Sequence, residues 1–336
     1  MLIKIVRVND VMIFLLANLG KRCPDIQQLG FMIMPIKISE KNLLSITDKK
    51  IFDQYLAIKT HELSLYNFAN IYIWNSLFEI FWYLIEDCLC VFFNNSAGCF
   101  MYLSPLGLSL KERVISQCLG IMDEYNSNPK LSRIENIEEQ EIGFYQSLGL
   151  VISPKDADYV YRRLKIAELK GNSYKSKRAD CNYFMNNYSF AYKPYSEDLF
   201  AESIALLKNW MENRKKNNSD QLYQYMLEDM FSVQVNALKN YSELGLVGRV
   251  VLVDGRVAAY TFGYELNPDT FCIMFEVIDY QFKGISQFIF REFAQEMQSY
   301  LYVNTMDDSG LENLAKVKLS YKPEKLIRNA LITREL

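Results

Sequence analysis

The chain reads as an α/β (α+β) protein built from two successive lobes, and three observations lead there. Its 336 residues exceed the usual size of one domain. Strand-like and helix-like patterns alternate in the first half and then recur in the same organisation in the second. Half of the residues are apolar, with 23 Tyr and 21 Phe, which is enough for two substantial cores. The junction is placed near residue 155, where Ser153–Pro154 interrupts the pattern.

At the amino terminus, Lys4 and Arg7 precede an apolar run from Val11 to Ala17. That run is short, Asp10 interrupts its approach and no clean cleavage pattern follows, so neither a secretory signal nor a membrane span is expected. In the first lobe, Leu65, Phe68, Ala69, Tyr72 and Ile73 recur at helical spacing and predict a helix over Ser64–Trp74. Strands follow at Glu79–Ile85, Cys88–Phe93 and Cys99–Leu103, separated by Glu86–Asp87 and Asn94–Gly98. Ser109 and Glu112 have capping-box spacing and predict a helix to about Tyr125. A strand over Ser132–Ile137, a helix over Glu138–Leu148 and a short strand near Val151 complete the unit.

The second half opens with a strand predicted over Tyr159–Ile166 and a helix over Ser173–Tyr188. Helices are expected at Ser196–Arg214 and Asp220–Asn240. Leu246–Val253 and Arg256–Tyr264 are rich in β-branched and aromatic residues, and Asp254–Gly255 between them demands a tight hairpin turn. Thr270–Ile278 is a further strand. Gly284, in the stretch Phe282–Gln287, precedes a helix through Glu296 whose buried face is Ile285, Phe288, Ile289, Phe293 and Met297. Amides at such a helix start can hold an anion, although ordinary turn geometry explains one glycine as well. Tyr300–Asn304 is a strand and Leu311–Lys318 a short helix.

Composition narrows the chemistry. A formal charge of −3 gives no global attraction to nucleic acid or anionic lipid. Seven Lys or Arg residues nevertheless lie between Arg162 and Arg178, with Glu168 alone opposing them, and such a block is either a solvated face or an anion-concentrating patch. Seven scattered cysteines read as reduced, buried thiols of a cytoplasmic protein, none with a partner arrangement suggesting a covalent intermediate. His61 is the one histidine, so a histidine-rich zinc site and a His-based catalytic triad are excluded and no metal is expected.

Hairpin, strand, glycine loop, helix and strand, in that order, form the ligand-binding half of an acyltransferase fold. Ser64–Trp74, Pro105–Gly107, Leu169–Arg178, Phe184–Tyr188, Val257–Gly263 and Lys316–Pro323, in that order, resemble the bacterial family related to the C-terminal domain of phosphatidylglycerol lysyltransferases. The resemblance covers roughly residues 32–330, leaving 1–31 as an atypical N-terminal extension. It implies two tandem GNAT-like lobes, at 32–155 and 156–336, each a mixed, mostly antiparallel sheet flanked by helices, with the donor site in the second. Relatives carry an Arg-Glu-Glu-Asp stretch after the strand asparagine and an arginine in the next helix, where this chain has Asn304–Asp308 and Ala315.

The resemblance implies transfer of an aminoacyl group from aminoacyl-tRNA to an amine or hydroxyl of a lipid, peptide or small molecule. An acyl-CoA-dependent N-acyltransferase and a non-catalytic binding protein are the alternatives. Aminoacyl-tRNA or acyl-CoA would be a co-substrate, with no permanently bound cofactor; no DNA is expected as partner, and peripheral membrane contact stays open. Glu276 is the candidate general base, because the attacking acceptor must lose a proton. Asn304 and Tyr321 are candidates to hydrogen-bond the reacting group. Lys283, Gly284 and Ile285 would position the donor, and Lys177, Arg178, Lys316 and Lys318 would neutralise its negative charge. Glu276 paired inside the core and Tyr321 merely packed are the bland readings.

Overall fold

The computed structural model describes residues 37–335, so the expected extension at 1–31 lies outside the described residues. The first part contains β1 (Asn42–Leu43), α1 (Lys49–Leu56), α2 (Phe68–Tyr72), β2 (Glu79–Ile85), β3 (Cys88–Asn95), β4 (Gly98–Met101), α3 (Glu112–Tyr125), β5 (Ile134–Glu138), α4 (Ile142–Ser147) and β6 (Val151–Pro154). The second contains β7 (Asp158–Arg162), α5 (Arg163–Glu168), α6 (Lys175–Asn187), β8 (Phe190–Pro194), α7 (Phe200–Asn217), α8 (Gln221–Lys239), β9 (Val247–Val253) and β10 (Arg256–Asn267). It continues with β11 (Thr270–Ile278), α9 (Ile285–Glu296), β12 (Tyr302–Asn304), α10 (Glu312–Ser320), β13 (Lys325–Ile327) and β14 (Asn329–Thr333).

These form two seven-stranded mixed sheets, ordered β1-β2-β3-β4-β5-β14-β6 and β13-β7-β12-β11-β10-β9-β8. Each is antiparallel except for one parallel pair, β4 with β5 and β11 with β12, at corresponding places. Two tandem lobes of matching strand arrangement are therefore present, and the second contributes one strand to the sheet of the first. β7, which opens the second part, sits between β12 and β13 in its own sheet, while β14 crosses to the first sheet and sits between β5 and β6. The expected 156–336 lobe thus gives its last strand to the other sheet. One large core runs through both lobes, from Phe52, Phe68 and Phe81 to Leu227, Tyr260 and Phe275.

Three local expectations are corrected. The helix expected over Ser64–Trp74 begins only at Phe68, because the second lobe takes the preceding backbone: the Ser64 amide donates to Asp158 Oδ2 at 2.7 Å, and Tyr264 Oη donates to the Ser64 carbonyl at 2.5 Å. No capping box forms at Ser109 and Glu112; Lys111 is the cap residue, and its ammonium reaches Asp87 at 2.6 Å and Glu86 at 3.3 Å. The strand from Tyr159 stops at Arg162, and Arg163–Glu168 is helical. Arg163 fixes that turn by donating to the carbonyls of Tyr300 and Ala294, and Ile166 and Ala167 are buried. The Asp254–Gly255 hairpin is as expected, with φ of 50° and 77°.

Candidate functional site

The second sheet opens where β11 outruns its parallel neighbour. β12 pairs with β11 only over Thr270–Cys272, after which β11 continues to Ile278. Phe275 and Val277 join the core on one face of β11, so Glu276 between them lies on the other, toward α9. Ser286, in the first turn of α9, donates to Glu276 Oε1 at 2.7 Å. Burial pushes the Glu276 carboxyl up to about 7, and the Ser286 hydrogen bond opposes that rise only partly.

Tyr321, at the end of α10, packs its ring at 5.0 Å from Phe290, with Lys177 Nζ 4.4 Å from the ring centre. Burial raises its phenol well above the ordinary range, and the charge of Glu276 raises it further. Lys177 is lowered by desolvation. Three expected site residues, Glu276, Tyr321 and Lys177, therefore gather around one opening. Cys181 also bears on Tyr321 electrostatically, but burial pushes its thiol up to about 11, which makes it a poor nucleophile at neutral pH.

The other expected residues do not join them. Asn304 is fully buried at the lobe junction, where its Nδ2 donates to Asp158 Oδ2 at 2.9 Å and its Oδ1 accepts from the Met306 amide at 2.7 Å. Lys318 is buried as well, donating to the carbonyls of Thr305, Met306 and Asp307 at 2.5, 3.0 and 2.5 Å. Arg178 donates to the carbonyls of Leu169 and Gly171, closing the left-handed turn that ends α5. Lys316 is exposed and paired with Glu312 at 2.7 Å. These four positions are structural or solvated in their contacts, because lobe contact and helix packing use the groups that sequence alone leaves unassigned.

The glycine loop is also narrower than expected. Gly284 is left-handed at φ 88°, and a Cβ there would stand 2.0 Å from the Asp180 carbonyl oxygen of α6. The Ile285 amide donates to the Phe282 carbonyl at 3.2 Å, and Lys283 is exposed, its ammonium 4.8 Å from the Tyr183 ring centre. The Asp180 carbonyl therefore packs where any side chain at this position would stand. Gly284→Ala combines a disfavoured φ with a backbone clash and is expected to cost about 3 kcal/mol in urea denaturation, beyond strain alone. A midpoint equal to the wild type would refute this account of the glycine.

Most of the basic stretch is internally paired. Arg162 and Lys165 share Glu324, Lys170 meets Glu168, and Arg163 and Arg178 bind backbone carbonyls. Lys175 is exposed.

Over residues 57–331 the sequence matches the family model for the phosphatidylglycerol lysyltransferase C-terminal domain. The chain belongs to that family. No curated protein matches it. A Bacteroides thetaiotaomicron protein of unknown function shares the fold at TM-score 0.77 and 23% identity, over 90% of this chain and 100% of that one. A C-terminal domain assigned to lysylphosphatidylglycerol synthetase in Agrobacterium fabrum gives TM-score 0.60 and 12% identity, over 87% and 92%. The L-PGS structure from Bacillus licheniformis gives 0.57 and 16%, over 85% and 92%. Among the described residues of this phosphatidylglycerol lysyltransferase C-terminal relative, no helix is long and apolar enough to cross a membrane, and no cluster of His, Cys, Asp and Glu is placed to hold a metal.

Sequence reasoning missed Ser286 as the partner of Glu276, although the residue stands in the glycine loop. It also missed the buried junction of Asp158, Asn304, Asp307 and Lys318. Burial pushes Asp307 up to about 6 and Lys318 down to about 8, with Asp307 and Asp158 opposing the fall of Lys318.

Proposed function

We propose that the chain transfers an aminoacyl group from aminoacyl-tRNA to an amine or hydroxyl of a lipid, peptide or small-molecule acceptor. The observation carrying this reading is a carboxyl held at about 7 by burial, at the opening of the parallel strand pair, with Ser286 bonded to it. A general base works best with a pKa near the working pH. The acceptor heteroatom attacks the ester carbon, Glu276 takes its proton, the new C–N or C–O bond forms, and the bond to the donor ribose breaks. The departing ribose oxygen regains a proton from the protonated carboxyl, so charge and atoms balance. Tyr321, protonated throughout, would donate to the ester oxygen.

One support favours an RNA ester over an acyl-CoA. The family is named for a lysyltransferase, which moves an amino acid. Purified protein incubated with a panel of charged tRNAs and acyl-CoAs, scored for donor deacylation against Glu276→Gln, decides the matter. Equal background loss in both proteins for every donor sinks the mechanism.

The base must be ionised, so kcat/KM is expected to rise with pH and level off above about 7. Ser286→Ala removes a hydrogen bond to the ionised form and moves that inflection to higher pH. A pH profile unchanged in Ser286→Ala would exclude Ser286 as the positioning residue.

A further inference from the structure

Two exposed rings, Tyr280 on the loop leading from β11 to α9 and Tyr183 on α6 beside it, are each set against a cation. Tyr280 accepts a hydrogen bond from Arg214 Nε at 2.8 Å, and that guanidinium lies 5.7 Å from the Tyr280 ring centre and 4.9 Å from that of Trp210. Three residues on, Lys283 stands 4.8 Å from the ring centre of Tyr183 on α6. Between them Phe282 packs edge-on against Tyr188 at 5.3 Å, and Tyr188 against Tyr183 at 6.3 Å. The row runs from the last turn of α7, where Lys215 and Lys216 follow Arg214, to the first turn of α9, where Ser286 holds Glu276.

Neither ring is needed for the core. Tyr280 is 50% exposed and Tyr183 41%, while Phe184 and Phe288 beneath them are buried. Asp279, the acidic residue of the loop, accepts from the Gln281 amide at 2.9 Å and so closes its own turn. An exposed ring beside a fixed cation suits a nucleic-acid strand whose bases are unpaired: the ring offers a stacking face and the cation meets the phosphate. A duplex, with its bases already stacked, gains nothing from such rings. The net charge of −3 makes this local pairing of rings and cations the more telling, since the chain as a whole does not attract RNA.

We propose that the unpaired 3′ end of an RNA donor stacks on Tyr280 and Tyr183, with Arg214 and Lys283 meeting its phosphates, so that the esterified terminus reaches Glu276. This rests on the reading of the donor as aminoacyl-tRNA.

The test measures fluorescence anisotropy with a labelled RNA stem bearing a four-nucleotide 3′ tail and with the same stem blunt-ended (both probes of roughly the site size a stacking groove spans). Wild type is expected to prefer the tailed probe. Tyr183→Ala and Tyr280→Ala are each expected to weaken tailed binding roughly 5- to 150-fold, the loss of about one stacked base, and to leave blunt binding unchanged. Tyr183→Phe keeps the ring and retains affinity, which separates stacking from misfolding. Equal binding of both probes, no binding by wild type, or full affinity in the Tyr183→Ala/Tyr280→Ala double variant overturns the proposal. Glu276→Gln binds the tailed probe like wild type while losing transfer, so the stacking rows and the transfer chemistry fail or stand separately.

Discussion

Glu276→Gln is expected to lower donor deacylation roughly 10²- to 10⁴-fold, the usual contribution of a positioned general base, while raising stability above neutral pH. Both effects have one cause. The folded-state carboxyl sits at about 7, above the ordinary value of 4.5. Between those values the native chain keeps a proton that the unfolded chain has lost, so wild-type stability falls as pH rises through the window. The whole gap corresponds to about 3 kcal/mol, at about 1.4 kcal/mol for each pH unit. Glutamine carries no charge and shows no such fall. Urea denaturation should therefore find the two proteins nearly equal at pH 5 and the variant more stable at pH 8. A variant less stable at pH 8 would mean that Glu276 is held by compensating cations and serves the fold, which is the bland reading of this carboxylate.

The largest stability loss is expected at Lys318. Its ammonium satisfies the carbonyls of Thr305, Met306 and Asp307, and it stands among the charges of Asp307, Asp158 and Asp308. Lys318→Met keeps the apolar stem and removes the charge, leaving three buried carbonyls and the neighbouring carboxylates without their cation. Breaking a buried pair in this way costs about 3–5 kcal/mol. Lys316→Met, two residues away on the exposed face with Glu312, is the control and should change stability by less than about 0.5 kcal/mol. Matching denaturation midpoints for the two variants would show that the junction tolerates an unpaired lysine site.

What the sequence could reveal depended on whether a residue's partner was near in the chain. The hairpin at Asp254–Gly255 was legible because positive φ is a local demand, and β11 has the bounds its β-branched and aromatic pattern implied. Gly284 was read correctly as special, yet the reason is the Asp180 carbonyl from a different helix. Lys318 and Lys316 look alike in sequence, and only the packing of α10 onto the β12 turn separates a buried anchor from a solvated charge. Ser64 opens a stretch of helical spacing but surrenders its backbone amide and carbonyl to Asp158 and Tyr264, far along the chain. Glu276 with Tyr321 and Lys177 was the part of the expected site that the fold assembles, since all three belong to elements surrounding the opening beside β11.

The crossing of β14 to the first sheet also sets a timetable for synthesis. As the chain emerges from its amino end, β5 and β6 are complete long before β14, the strand that joins them, has been made. Until then two strand edges face an empty slot, open to any extended segment nearby. The second sheet has no such wait, because β7 is already present when β12 arrives. A ribosome that stalls after α10 would therefore hold a nearly finished second sheet beside an unclosed first one, and β14, made after the other described strands, is the one that seals the first-made half.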